Sequence, residues 1–113
     1  METLIERADG RDDGEDWTEN YEQLPGGAGI SIILESTTRE GVGPRLHRHP
    51  YAETFIIRRG SATFTVGTEE VVGHAGQVLV VPAATPHRFR TGPDGYEAVH
   101  IHANDRFVTE WLE

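Results

Sequence analysis

From LPGGAGI (residues 24–30) onward, Gly, Pro and Asp-Gly signals break the chain every 8 to 12 residues or so, and this spacing limits what it can fold into. Between the breaks lie short runs rich in β-branched and aromatic residues: ISIILES, ETFIIRR, SATFTV, EEVVGH, QVLVVP, HRFRT and YEAVHIH. ETFIIRR stops at Gly60 and SATFTV follows at once, which predicts a hairpin there. No helical pattern of 10–15 residues separates the runs, so a parallel α/β sheet is excluded in favour of an all-β sandwich or barrel. The end of the chain, NDRFVTEWLE, differs. Phe107, Val108, Trp111 and Leu112 recur at helical spacing, and Asn104 or Asp105 can cap the start, which predicts one short C-terminal helix.

A length of 113 residues suits one domain with one core. Its charge is uneven. Residues 1–22 hold nine acids against two arginines (−7), and residues 23–113 hold ten acids against eight arginines (−2). Residues 1–22 therefore read as an acidic, mobile lead-in that Trp17 and Tyr21 pin to the surface, and 23–113 as a single barrel domain. No basic stripe is present, which argues against nucleic acid as a partner. All ten basic residues are Arg, so Schiff-base and lysine-base chemistry are excluded. Without cysteine there is no disulfide, thiolate ligand or thiol nucleophile. No apolar run of membrane-spanning length occurs and METLIERADG does not resemble a signal peptide, so a cytoplasmic protein is expected.

The chemistry concentrates in LHRHPYAETF, residues 46–55. In a strand, residues two apart share a face and lie about 6.6 Å apart, so His47 and His49 can aim at one point while Arg48 turns away. Pro50 holds His49 extended, and Glu53 can look back at the pair from the next strand. Two neutral imidazoles and a carboxylate suit a first-row divalent metal. For a fourth ligand the residues themselves offer His74, His87, or the pair His100 and His102.

These residues sit in a recognisable frame. Gly41, five residues, His47-Arg48-His49, three residues, Glu53, six residues and Gly60 resemble the first motif of the cupin superfamily. Gly76, five residues, Pro82-Ala83-Ala84, two residues, His87, three residues and Thr91 resemble the second, with Ala84 where the family has Gly and Thr91 where it has Asn. Fifteen residues separate Gly60 from Gly76, as in small single-domain cupins. The resemblance covers about residues 28 to 103. It implies a double-stranded β-helix (a jelly-roll barrel) and the ligand set His47, His49, Glu53 and His87. In HRFRT, His87 and Phe89 share one face, so His87 enters the interior, where an imidazole needs a partner. The alternative is two surface histidines and a satisfied core histidine.

His74 follows Gly73 in a hairpin-like segment and is expected to be exposed and inert. His100 and His102 share a strand face opposite Val99 and Ile101. If that face looks inward, as the reading slightly favours, His102 lies beside the metal as an acid or base and His100 in the pocket. Tyr51 is either a substrate-binding phenol at the barrel mouth or a loop-packing aromatic. Arg45 shares parity with His47 and either points inward to attract an anion or stays on the surface. Phe55 and Phe89 are expected as core or pocket wall.

Four ligands on a six-coordinate metal leave two positions open. Fe, Mn, Ni or Cu suits such a site, whereas Zn tends to close it at four ligands. The leading expectation is a metal-dependent dioxygenase acting on a small organic molecule, with a non-catalytic binding or sensing module as the alternative. A sugar isomerase or epimerase ranks lower, because phosphosugar members generally need basic contacts and only Arg is available. A homodimer is implied by the resemblance.

Overall fold

The computed structural model describes residues 3–6 and 16–113. Residues 1–2 and 7–15, most of the acidic lead-in, lie outside the described residues. The remainder of that lead-in contains strand β1 (Trp17–Tyr21), which pairs antiparallel with β2 (Ser31–Thr37). A 3-10 turn at Pro25–Gly27 joins the two. Then follow β3 (His47–Arg48), β4 (Glu53–Val66), β5 (Glu69–His74), β6 (Val78–Val81), β7 (His87–His102) and β8 (Glu110–Trp111). Every pairing is antiparallel. One curled path runs β1-β2-β7-β3-β8, and β4 pairs with β5, β6 and β7. This is the all-β jelly-roll barrel the sequence implies.

Two long strands organise the barrel. ETFIIRR and SATFTV do not form a hairpin at Gly60; they are one 14-residue strand, β4. HRFRT and YEAVHIH are likewise one 16-residue strand, β7. The two pair from Glu53↔His102 to Val66↔His87, with register irregularities between Ile57 and Arg59 and between Gly60 and Ala62. These irregularities have a consequence for facing. Buried residues on β4 run 53, 55, 57 and then 62, 64; on β7 they run 87, 89, 91 and then, after buried Gly95 at the bend, 96, 98, 100, 102. Inward parity flips in both strands across the bend, as an inserted residue requires. Gly60 lies at the bend with φ +70, and a Cβ there would fall 1.9 Å from the Gly95 carbonyl oxygen. No side chain fits, so glycine is what permits the bend.

Phe55, Ile57, Ala62, Phe64, Val81, Phe89, Tyr96 and Ala98 form the core. The true hairpin is β4–β5, closed by Gly67-Thr68 between Val66 and Glu69.

The C-terminal helix is absent. Residues 107–112 are extended, with His47 opposite Trp111 and Arg48 opposite Glu110, and Leu112 N–H donates to the Leu46 carbonyl (3.0 Å). The segment also carries a period of two: Phe107, Thr109 and Trp111 border the cavity, Trp111 while 52% exposed, and Val108, Glu110 and Leu112 are exposed without touching it. Capping the free edge of β3 satisfies backbone groups that a surface helix would leave open, and this tertiary gain overrides the weak helical spacing.

Candidate metal centre

β3 delivers His47, and the following extended residue delivers His49; β4 opens on Glu53 and β7 opens on His87. All four are buried, at 2–6% exposure. One donor atom from each lies within 4.8 Å of the others. The imidazoles are oriented by backbone carbonyls. Nδ1–H of His47 donates to Arg45 O (2.7 Å), that of His49 to Val108 O (2.9 Å) and that of His87 to Thr85 O (2.9 Å). A carbonyl only accepts, so each ring carries a proton on Nδ1, which leaves Nε2 as the nitrogen turned to the cluster. Orientation of metal-bound histidines by a hydrogen bond from the other ring nitrogen is a regular feature of metal sites.

The residues fit a cation. Glu53 Oε1 lies 3.0 Å from His87 Nε2 and 3.2 Å from His49 Nε2. Burial pushes the Glu53 carboxyl up, but His102, His49 and His87 outweigh it and hold the group well below the ordinary carboxylate range. Burial pushes His47 down to about 4, which keeps that ring neutral at physiological pH. Ring nitrogens of His49, His87 and His102 therefore converge on one buried carboxylate inside the barrel. Among the described residues, the buried side-chain polar atoms without a hydrogen-bond partner are Ser31 Oγ, Glu35 Oε2, His49 Nε2 and His102 Nε2. Residues 35, 49 and 102 line one cavity. Orphans of this kind require an explanation, and a divalent ion at the cluster supplies one for His49 Nε2.

His102 and His100 face inward, each 3% exposed, because parity flips at the bend and sets them on the same wall as His87 and Phe89. His102 Nε2 lies 3.1 Å from Glu53 Oε2, the oxygen turned away from His87 and His49. Its Nδ1 accepts from the Tyr51 hydroxyl (2.7 Å), and that oxygen accepts from Val108 N–H (3.1 Å). Tyr51 is thus buried behind His102 and does not line the cavity, so it is not at the mouth. His100 Nε2 accepts from the Tyr96 hydroxyl (2.9 Å), and burial pushes His100 down to about 4. Phe55 and Phe89 form cavity wall as well as core. Arg45 does not enter: it is exposed, with its guanidinium 5.0 Å from the Trp111 ring centroid. Parity misleads there because residues 42–46 precede the strand. His74 is exposed.

The cavity has a volume of about 400 Å³. Several of its residues escape a reading of the sequence. β1 gives Thr18 and Asn20, β2 gives Ile33 and Glu35, and the C-terminal strand gives Phe107, Thr109 and Trp111. Glu35 is the notable omission. It sits in the apolar run ISIILES on the parity of Ile33, so an acid amid apolar strand residues was the available signal. Burial alone pushes its carboxyl up to about 7.

This last shift sets a pH dependence. A carboxyl raised from its ordinary 4.5 holds its proton more tightly folded than unfolded, so stability falls as pH climbs from about 4.5 to about 7. Glu35→Gln removes that loss. The variant is expected to match the parent in thermal melts near pH 4.5 and to exceed it above pH 7, by up to about 3 kcal/mol. A constant difference across this range would show that Glu35 ionises normally.

The two departures from the second motif have distinct outcomes. Thr91 Oγ1 donates to Arg39 O (2.6 Å) and accepts from Val42 N–H (2.9 Å), so it anchors the loop that leads to the ligands. Ala84 takes φ +62, a left-handed conformation, while its N–H donates to His49 O (2.7 Å). Ala84→Gly is expected to raise stability by about 1 kcal/mol in denaturant melts, with metal content unchanged. A lower midpoint would contradict the strain.

No curated protein matches the chain. Among solved structures, Bacillus subtilis oxalate decarboxylase superposes with TM-score 0.74 at 20% identity, covering 90% of this chain and 29% of that one. Pumpkin seed globulin gives 0.74 at 20%, covering 96% and 31%. A cupin superfamily protein of Desulfitobacterium hafniense gives 0.66 at 20%, covering 84% of each chain. The chain thus spans less than a third of the first two, and these likenesses show the fold. The cupin domain family model matches residues 34–103, which contain both histidine motifs and more than half of the sequence, so the chain belongs to the cupin domain family.

Proposed function

We propose that the protein holds one divalent transition metal on His47, His49, Glu53 and His87 and uses it on a small organic molecule bound in the adjoining cavity, with dioxygenase-type turnover as the leading reading. The observation that carries this is the convergence of three buried imidazole nitrogens and a buried carboxylate beside a cavity of about 400 Å³. The metal, when bound, supplies open coordination positions for Lewis-acid or dioxygen chemistry. The chain's own residues set the conditions. Phe55, Phe89 and Ile33 give the cavity an apolar wall that limits water. His102 holds the second oxygen of Glu53, and Tyr51 holds His102, so both act by positioning the carboxylate. Fe and Mn both suit a three-histidine, one-carboxylate set. The B. subtilis oxalate decarboxylase has Mn(II) centres.

The test is oxygen uptake by protein reconstituted anaerobically with Fe(II) or Mn(II), over a panel of small organic compounds, with thermal shift read in parallel. A compound that both raises the melting temperature and drives oxygen consumption supports the oxygenase. Stabilisation without product supports a non-catalytic binding module instead. A phosphosugar isomerase is disfavoured, because the cavity lining contains no Arg. We also propose a homodimer. Val78 and Val80, two apart on β6, are exposed at 61% and 55%, which offers apolar contact for a second copy. Sedimentation showing a monomer at high concentration would count against it.

A further inference from the structure

The cavity has two chemically different ends. Glu53 and His102 face each other across β4 and β7, while Glu35 on β2 is level with Ala98. Four residues of β7 separate those levels, about 13 Å along the strands. Glu35 therefore lies far from the proposed ligands yet lines the same cavity. Its Oε2 is buried without a hydrogen-bond partner, and no cation shifts its ionisation. The lining includes neither Arg nor Lys. Once a divalent ion offsets Glu53 at one end, Glu35 is the single acid at the other. An orphaned carboxylate oxygen is costly to bury, and a donor on a bound molecule relieves that cost.

We propose that Glu35 is a specificity-determining residue: the cavity takes a small, mostly apolar molecule that meets the metal at one end and presents an amine, or failing that a hydroxyl, to Glu35 at the other, and it rejects dicarboxylates. The inference rests on the metal-centre reading above and adds the substrate class. Like charge is excluded at the far end for the same reason that a donor is welcome there. A carboxylate facing Glu35 has no arginine to screen it, so two acids would have to share a buried site. An ammonium replaces that repulsion with a charge-assisted hydrogen bond.

Three six-carbon acids test this, since each offers the same carboxylate to the metal and differs at the far end: 6-aminohexanoate, 6-hydroxyhexanoate and adipate. Binding to metal-loaded protein is measured by calorimetry above pH 7, where Glu35 is ionised, for the parent and for Glu35→Gln, with metal content determined on the same samples. The expected order is amine, then hydroxyl, then dicarboxylate, with about tenfold or more between the first and last. In Glu35→Gln the metal content stays at the parent level and the preference for the amine collapses. Equal binding of adipate and 6-aminohexanoate by the parent, an order unchanged in Glu35→Gln, or no binding of any of the three to loaded protein would overturn the proposal. Failure of the metal reading looks different: the parent would carry no metal at all.

Discussion

Gly60→Ala is expected to leave little folded protein. The methyl group would lie 1.9 Å from Gly95 O and 2.5 Å from its carbonyl carbon, both backbone atoms of the paired strand. Neither can retreat without separating β4 from β7, which share the longest pairing in the barrel. Positive φ adds about 1–2 kcal/mol on its own. Clash and strain together should remove at least ~4 kcal/mol from a domain whose total stability is on the order of 5–15 kcal/mol. Gly41→Ala is the control. Gly41 also has positive φ (+79), but nothing lies within 4 Å of its Cβ position, so that variant should lose only the conformational part. Denaturant melts of the two check this. Equal losses would mean that the close crossing of the strands is not what requires glycine at 60.

Divalent metal is expected to stabilise the parent strongly and Glu53→Ala hardly at all. In the parent, added Mn(II) or Fe(II) is held by Glu53 and the three histidines and binds only the folded chain. Free metal at a thousandfold excess over Kd then adds about 4 kcal/mol of apparent stability. Without the carboxylate, the three histidines from β3, the segment after it and β7 lose the anion that draws a cation in, and the orienting role of His102 and Tyr51 has nothing to act on. Thermal melts with and without metal, under nitrogen, separate the cases. A full metal-dependent shift in Glu53→Ala would remove Glu53 from the ligand set.

The ligand cluster was legible because its spacing is local. His47, His49 and Glu53 lie within seven residues, and the second frame brings in His87 through a fixed turn at Pro82–Ala84. The far wall of the cavity was not legible. Glu35 reaches it only through the register of β2 on β7, and Thr18 and Asn20 only through β1 on β2. Such pairings are long-range and leave no mark in a short window. The facing of His100 and His102 was nearly undecidable for a related reason. Counting alternation straight from His87 would put the odd residues, Val99 and Ile101, inward; the bend at Gly60 and Gly95 reverses the count. Gly60 itself read as a stop because a glycine between two strand-like runs looks the same whether the chain turns back or bends through. At residues 107–112 the helical and alternating patterns coexist, and the open edge of β3 decides between them.

The most direct measurement is metal content per chain in protein purified anaerobically, for the parent, His49→Ala and Glu53→Ala. About one divalent ion per chain is expected in the parent, and loss of it in both variants while each stays folded. Stoichiometric metal retained by His49→Ala, or a folded parent that takes up none when metal is supplied, would contradict the site.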